Sequence, residues 1–215
     1  MQLNIDKIKK ELSKRKAQPI DINRHYSVAL PLIYNDATDN WEIVYEVRSI
    51  NVSQPNEISF PGGAVEDGET YETAAVRETC EELLIDESNI EVLGEMDYVV
   101  TTGVLTIRCF LIQIKGIQAH EIRPNKGEVD RILTVPLQFF LENEPLESVL
   151  TMSVDPNEHF PFDLIPNGKE YNFAKAKNNI LFYKYKGYVI WGFTAKMTQS
   201  SLNILKKLEL LPSKD

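Results

Sequence analysis

Residues 62–85, GGAVEDGETYETAAVRETCEELLI, constrain the fold most, because a diglycine leads into a helix-forming run with acids at fixed offsets. The predicted helix covers Tyr71–Leu83. A step of about 100° per residue places Glu78, Glu81 and Glu82 on one side of this helix, so that three carboxylates converge on one small volume. The residues predicted to face the core lie on the opposite side: Val76, Cys80 and Leu83.

The three carboxylates of this helix repel one another. Like charges spaced three and four residues apart cost roughly 0.2–0.5 kcal/mol per exposed pair, and more when they are desolvated. A divalent cation with oxygen ligands removes this repulsion, and Mg²⁺ or Mn²⁺ prefers such ligands. The alternative is the solvated face of an amphipathic helix, which is typical of an isolated Glu-Glu pair. The full pattern favours a metal site formed by Glu78, Glu81 and Glu82.

This pattern resembles the Nudix box, in which a glycine is followed at fixed spacings by a glutamate, an Arg-Glu pair, a Glu-Glu pair and an apolar residue. The positions in register are Gly63, Glu69, Arg77, Glu78, Glu81, Glu82 and Ile85. A chance match of the first six is on the order of one in 10⁵ for a chain of this length. Two positions depart from the box: Thr79 stands where an aliphatic residue is usual, and Leu84 replaces the second glycine.

The replacement at position 84 affects the end of the helix. In the family this glycine closes the helix in the left-handed conformation, which costs another residue roughly 1–2 kcal/mol. We expect Leu84 either to strain the helix end or to let the helix continue by a short stretch. Neither outcome removes a metal ligand.

The resemblance implies a role for the remaining box residues. Arg77 orients a ligating carboxylate, and Glu69 is a structural or supporting acid. The carbonyl of Gly62 is a further candidate metal ligand, and Gly63 allows close approach of the substrate. The implied reaction is hydrolysis of a phosphoanhydride in a nucleoside diphosphate derivative, with Mg²⁺ or Mn²⁺ as cofactor.

The general base is predicted outside the box. Glu128 lies in a polar loop just before the apolar run 132–137, a position similar to that of acids that reach the metal cluster in relatives. A box glutamate is the other candidate base. A loop glutamate that is merely solvated is the structural alternative for Glu128.

A second motif points to a branch of the family. The Arg48-Ser49 pair, followed after ten residues by FPGG at 60–63, resembles the signature of coenzyme A pyrophosphatases. Arg48 is the candidate phosphate contact, since phosphate recognition depends on basic side chains. The match is partial: Ser53 stands near an expected basic position, Asn56 replaces a glycine, and the spacing is one residue shorter. Coenzyme A or acyl-coenzyme A is therefore the first-choice substrate.

Two alternatives stay open. The same chemistry can act on ADP-ribose, a dinucleotide or a nucleotide sugar, and the incomplete branch signature keeps this alternative alive. A non-catalytic Nudix module that binds a nucleotide and regulates a partner is the alternative from another class, because a fold alone does not fix function.

Length and composition predict one domain, 1–215, with the family resemblance over 26–205 and an N-terminal helix within 1–20. The net charge of −9 argues against a nucleic-acid partner, whereas divalent ions let an acidic enzyme take a small anionic nucleotide substrate. No apolar run reaches the roughly 18 residues that span a bilayer, so we expect a cytoplasmic protein. The cysteines, Cys80 and Cys109, lack metal-ligand spacing.

The elements outside the box predict an α/β/α sandwich with a mixed β-sheet, and the family resemblance implies the same. Strand patterns cover 27–34, 41–47 and 90–114, the last with a hairpin break near 101–103, and a second hairpin joins 180–185 to 188–191. A basic amphipathic segment, 7–16, is predicted to cap the domain, and a final helix covers 194–211.

Two predictions concern the C-terminal third of the chain. Trp191 and Phe193 are expected in the core rather than in a ligand-stacking site. Residues 156–179, rich in Pro, Asn and Lys, are expected to form a substrate-facing loop or an oligomer contact, which leaves a homodimer open.

Overall fold

The computed structural model describes residues 4–17, 19–20, 22, 24–101 and 105–212. The helices in these residues are α1 (Ile5–Leu12), α2 (Tyr71–Leu83), α3 (Leu137–Glu142) and α4 (Gly192–Lys207). The strands are β1 (Arg24–Asn35), β2 (Asn40–Arg48), β3 (Ile58–Ser59), β4 (Gly62–Ala64), β5 (Ile90–Glu95), β6 (Val99–Val100), β7 (Leu105–Ile114), β8 (Val129–Pro136), β9 (Leu146–Met152), β10 (Ala176–Tyr185) and β11 (Tyr188–Trp191).

The larger sheet is mixed, as the sequence predicts. Its centre is β1, which runs parallel to β7 and antiparallel to β2 and β4. Strands β3 and β8 flank β2 on its two sides, and β5 and β6 pair antiparallel with β7. A parallel pair needs a long crossover, and the connection from β1 to β7 contains α2.

Helices cover both faces of this sheet, which confirms the predicted α/β/α sandwich. On one face α2 packs through Ala75 against Ala29 and through Leu83 in a second apolar cluster. On the other face α4 packs on β2, where the hydroxyl groups of Tyr45 and Thr198 lie 2.9 Å apart in a buried hydrogen bond. Successive side chains of a strand point to opposite faces, so residues of β2 separated by two face the same helix.

A smaller antiparallel sheet, in the order β11-β10-β9, follows in the C-terminal third of the chain. Its hairpin turns at Lys186 and Gly187, both with positive φ, as a two-residue turn favours. The prediction that Trp191 and Phe193 belong to the core is wrong, because they are 38% and 44% exposed. Trp191 stacks on Phe182 across the hairpin, on a face of this sheet that is open to solvent.

The two terminal helices differ from their predictions. Every residue of α1 is exposed, so α1 does not cap the domain, although its amphipathic pattern and the Asn4 cap do produce a helix. Residues 1–3 and 18 of the predicted N-terminal helix lie outside the described residues. Helix α4 ends at Lys207 rather than at 211, because Glu209 adopts a left-handed φ of 59°. The N–H of Leu210 then closes the helix end on the carbonyl of Leu205 at 2.9 Å.

The hairpin predicted near 101–103 joins β6 to β7, which pair antiparallel. Residues 102 and 103 lie outside the described residues. Across the described ranges, no helix is long and apolar enough to cross a membrane.

Candidate active site

Helix α2 begins and ends where the sequence predicts. Thr70 caps its first turn by accepting a 3.1 Å hydrogen bond from the N–H of Thr73. Thr79 is buried, and its hydroxyl donates to the carbonyl of Ala75 at 2.7 Å, so this departure from an aliphatic residue leaves no unsatisfied donor. Leu84 takes the left-handed conformation at φ 51° and ψ 48°, with its side chain 62% exposed. Of the two outcomes expected for Leu84, the structure has the strained helix end.

The buried face of α2 differs from the prediction. Its buried residues are Ala74, Ala75, Thr79, Glu82 and Leu83. Val76 and Cys80, expected in the core, are only partly buried and line a groove of about 580 Å³ along the helix. The face that packs on β1 is therefore rotated toward Glu82, because small alanines allow the helix to approach the sheet closely. Glu82 is thereby separated from Glu81, whose side chain is 57% exposed.

Arg77 hydrogen-bonds with three acids of the box, Glu69, Glu78 and Glu81. Its Nε and Nη2 donate to the two carboxylate oxygens of Glu69 at 3.0 and 3.2 Å. Nη1 donates to Glu78 Oε1 at 2.9 Å and to Glu81 Oε2 at 3.1 Å, and Nη2 also reaches the carbonyl of Ala64 at 3.1 Å. The hydrogen bonds from Arg77 lower the pKa of Glu69. The guanidinium thus fixes three acids of the box, and it uses one oxygen of Glu78 and one of Glu81.

The diglycine places backbone directly beside two of the glutamates. The N–H of Gly62 donates to Glu82 Oε2 at 2.7 Å. A side chain at Gly63 would meet the Glu78 carboxylate, since a Cβ there would lie 2.3 Å from its Oε1. Strand β4 therefore lies along the acidic edge of α2.

Glu46 is the site residue that the sequence interpretation missed. It projects from β2 toward α2, is 1% exposed, and interacts with the Glu82 carboxyl group, which is 6% exposed. Burial raises the pKa of Glu46 well above its ordinary value, and the charge of Glu82 raises it further. Burial likewise raises the pKa of Glu82 to about 7, against the opposing hydrogen bond from Gly62. The strand alternation Glu42, Val44, Glu46 was the available signal, because Val44 lies in the α2-facing cluster.

Glu128 lies next to these acids. Its loop is fastened to α2 by the N–H of Asn125, which donates to the carbonyl of Glu82 at 2.8 Å, and the carbonyl of Glu128 accepts from the N–H of Ser49 at 2.8 Å. The side chain is exposed. Its charge raises the pKa of Glu46, Glu78 and Glu82. The structure therefore brings the predicted loop acid to the box.

Arg48 is near the same acids but is held by its own loop. Its Nε donates to the carbonyl of Ser53 at 2.8 Å, and its positive charge opposes the rise in pKa that burial causes in Glu46 and Glu82. Asn56, which replaces a glycine of the branch signature, has a φ of 64°. Asparagine tolerates this left-handed conformation, so the loop keeps a backbone that suits glycine.

Comparison with protein-family models shows which family the chain belongs to. The NUDIX domain family model matches residues 23–149, more than half of the 215-residue chain. The chain belongs to the Nudix family. As a Nudix hydrolase it is a pyrophosphatase that acts on nucleoside diphosphate derivatives, and enzymes of this family generally use divalent metal ions.

The proteins to which the chain is similar include two curated Nudix relatives and one solved structure. Nudix hydrolase 3 of Caenorhabditis elegans is 24% identical over 207 residues, covering 94% of this chain and 82% of that protein. The peroxisomal coenzyme A diphosphatase ndx-8 of C. elegans is 30% identical over 146 residues, covering 64% of this chain but only 59% of that protein. The crystal structure of a MutT/nudix family protein from Enterococcus faecalis covers 95% of this chain and 70% of its own, with 15% identity and a TM-score of 0.49.

The residues present fit the divalent ion that Nudix hydrolases use. Within the described part of the chain, no three acidic, histidine or cysteine side chains are arranged as metal ligands. Arg77 instead forms ion pairs with Glu78 and Glu81. Around them, however, are desolvated carboxylates with raised pKa values and an oxygen of Glu46 that no described group hydrogen-bonds. A hard cation is the partner that such an oxygen-donor set requires.

Proposed function

We propose that this Nudix hydrolase cleaves the phosphoanhydride of coenzyme A or acyl-coenzyme A with Mg²⁺ or Mn²⁺. The products are 3′,5′-ADP and 4′-phosphopantetheine or its acyl form. One observation carries the chemistry: the carboxyl groups of Glu78 and Glu82 lie directly against the Gly62-Gly63 backbone, and burial together with neighbouring carboxylates raises the pKa of both, as expected where acids are gathered for a cation.

The metal ligands in this proposal are the carboxylates of Glu78, Glu81 and Glu82 and the carbonyl of Gly62. When bound, the cation supplies an activated water and neutralises charge on the phosphoryl oxygens. Arg77 holds Glu78 and Glu81 in position through one oxygen each. The N–H of Gly62 does the same for Glu82, so these side chains are oriented before the substrate arrives.

Glu128 is the proposed general base. It is exposed on a loop that is anchored to α2, so its carboxylate can reach a water that Glu82, buried against the sheet, cannot. Glu128 takes the proton of the attacking water as the phosphorus–oxygen bond forms. The leaving phosphate then departs with the bridging oxygen.

Arg48 and Gly63 are the proposed substrate contacts. Arg48 lies near the acids and is held by Ser53, which presents its guanidinium on a fixed loop. A guanidinium matches phosphate oxygens in both charge and geometry. Gly63 has no side chain, so its backbone lies directly against the Glu78 carboxylate, and a phosphoryl group bound beside that carboxylate would lie close to β4.

Two findings support coenzyme A as the substrate. The relative ndx-8 of C. elegans is named a peroxisomal coenzyme A diphosphatase, and NUDT7 of Mus musculus, 31% identical over 121 residues, carries the same kind of name. Asn56, which stands in place of the glycine of the branch signature, has a left-handed φ that glycine also adopts readily. Against them, Ser53 takes the place of an expected basic residue, which favours ADP-ribose, a dinucleotide or a nucleotide sugar as the second candidate.

The organisation of the protein follows from the same proposal. We take 1–215 as one Nudix hydrolase domain acting on a small nucleotide substrate, without nucleic acid. The cytoplasmic location and the homodimer stay predictions.

Product analysis by mass spectrometry tests the proposal. Purified protein with Mg²⁺ or Mn²⁺ is given coenzyme A, acyl-coenzyme A, ADP-ribose, NADH and diadenosine polyphosphates. The proposal predicts 4′-phosphopantetheine and 3′,5′-ADP. AMP with ribose 5-phosphate would move the substrate to ADP-ribose, and binding of a nucleotide without any product would favour the non-catalytic module.

A further inference from the structure

Glu46 is a buried acid in the middle of the larger sheet. It is 1% exposed, and its neighbours across the sheet are Ser59 on β3 and Ile132 on β8. Directly opposed residues of an antiparallel pair point to the same face, so Glu46 and Ser59 both face α2. Glu46 Oε1 and Ser59 Oγ are both buried, and neither has a hydrogen-bond partner among the described residues. Two unsatisfied oxygens thus lie on neighbouring strands of the same sheet face.

This arrangement is unfavourable for the protein alone. A buried carboxylate oxygen without a partner is unfavourable unless the group is protonated or binds a cation. The Glu82 carboxyl group is the hydrogen-bond partner of the Glu46 carboxyl group, which requires a proton between the two acids, and when both acids are ionised Glu82 adds a like charge instead. Arg48 is the nearby cation, but its guanidinium hydrogen-bonds with Ser53. Native proteins rarely keep such unsatisfied groups without a functional reason.

Glu42 is a second buried acid on β2, and it lies away from the acids of α2. It lies on the same face of β2, four residues away, and is 5% exposed. Its Oε1 accepts a 3.0 Å hydrogen bond from the side-chain amide of Asn35, whereas its Oε2, like Oε1 of Glu46, is buried without a hydrogen-bond partner among the described residues. Glu46 instead adjoins the acids of α2, so what distinguishes Glu46 from Glu42 is its position beside Glu82.

We propose that Glu46 is a further carboxylate ligand of the divalent-cation site, contributed by β2 opposite the glutamates of α2. The cation would be bound by oxygen donors from both the sheet and the helix, with the Ser59 hydroxyl beside Glu46 as a neutral oxygen donor. Ligand charge is one determinant of affinity for hard cations. This inference rests on the proposed function only in requiring that the site binds Mg²⁺ or Mn²⁺.

Calorimetric titration of the metal-free protein with Mn²⁺ tests this role without using turnover. Glu46→Gln keeps the shape of the side chain and removes its charge. We expect the Kd for Mn²⁺ to rise at least about 10-fold, the scale seen when groups that support a metal site are lost. Glu42→Gln, a buried acid on the same strand face, should leave the Kd unchanged. Thermal melts of the metal-free variants check that both are folded.

The outcomes separate this inference from the proposed function. An unchanged Mn²⁺ affinity in Glu46→Gln overturns the ligand role of Glu46, whatever happens to turnover. If Glu82→Gln also leaves the affinity unchanged, the metal assignment in the proposed function fails with it. If Glu46→Gln does not fold, Glu46→Asp keeps the charge and retracts the carboxylate by one methylene. The inference then predicts weaker Mn²⁺ binding by Glu46→Asp, and wild-type affinity overturns it.

Discussion

The backbone N–H of Gly62 donates a 2.7 Å hydrogen bond to Oε2 of Glu82, which joins strand β4 to the buried face of α2. Glycine is required at this position for two reasons. Its φ of +153° is rare for other residues, and a Cβ would lie 2.4 Å from the carbonyl oxygen of Ser27. Any side chain at position 62 must push β4 away from β1, and that shift would carry the N–H away from Glu82.

Gly62→Ala should therefore lower the free energy of unfolding by about 1–3 kcal/mol, the range for overpacking a tight site. Urea denaturation measures the change. Gly94→Ala is the matched control, because Gly94 has a φ of +157° but no described atom within 4 Å of its Cβ position. Equal losses in the two variants would mean that the contact with Ser27 does not matter.

Leu84→Gly should stabilise the protein. Leu84 has a φ of 51° and an exposed side chain, so glycine removes the strain and loses little burial. The expected gain is about 1 kcal/mol, because relief of left-handed strain exceeds the added chain entropy of glycine. Leu93→Gly serves as the comparison: Leu93 is 49% exposed in β5, and glycine in a strand should destabilise the protein. Loss of stability in Leu84→Gly would contradict the strain at the end of α2.

The stability of the metal-free protein should fall as pH rises through neutrality. Burial raises the pKa of Glu82 to about 7 and raises that of Glu46 in the same direction. In the folded state these glutamates keep protons that they release in the unfolded state near the ordinary glutamate pKa of about 4.3. Their contribution to stability is therefore fully present below that pH and is lost as the pH rises through about 7. The lowered pKa of Glu69 acts oppositely, but below this window.

Thermal melts between about pH 5 and pH 8 measure this effect. The Tm should fall with rising pH between the unfolded-state pKa of a glutamate and the raised folded-state pKa of Glu82. Mn²⁺ should reduce the fall, because a bound cation favours the ionised carboxylates. Glu82→Gln should also flatten the profile. A wild-type profile that is already flat without metal would contradict the raised pKa of Glu82.

Glu128→Gln should reduce kcat by about 10²–10⁴-fold, the usual contribution of a general base, without weakening Mn²⁺ binding. The loop acid is exposed and fastened near α2 only through backbone contacts, so the substitution should leave the fold intact. Asp130→Asn, two residues along the same segment, is the control for the loss of a nearby negative charge. A similar kcat in Glu128→Gln and the wild type would assign the base to a different acid.

The box region could be predicted in detail because its signals are local. The acid spacing and the glycine position at 84 both act within α2, and the structure has Tyr71–Leu83 as predicted. Helical spacing alone does not determine which face of α2 packs on the sheet. Close packing of Ala75 on Ala29 turned Glu82 inward and left Cys80 half-buried, which depends on residues that are distant in sequence.

The errors elsewhere also concern contacts between distant segments. Glu46 has the sequence context of an ordinary strand residue, and its role depends on Glu82 and Ser59, which lie in other elements. Trp191 has an apolar context, but its strand belongs to the smaller sheet, whose edge strand β9 is exposed along its whole length. Which sheet a strand joins, and which face is covered, was not encoded in its local pattern.

Hydrolysis of coenzyme A by the wild type and by Glu82→Gln, measured side by side with Mg²⁺, tests the central claim most directly. The wild type should release 4′-phosphopantetheine and 3′,5′-ADP. Glu82→Gln should be slower by at least about 100-fold, since charge stabilisation by a correctly held cation contributes several kcal/mol. Equal turnover by the two proteins would contradict the assignment of Glu82 and of the α2 carboxylates as the metal site.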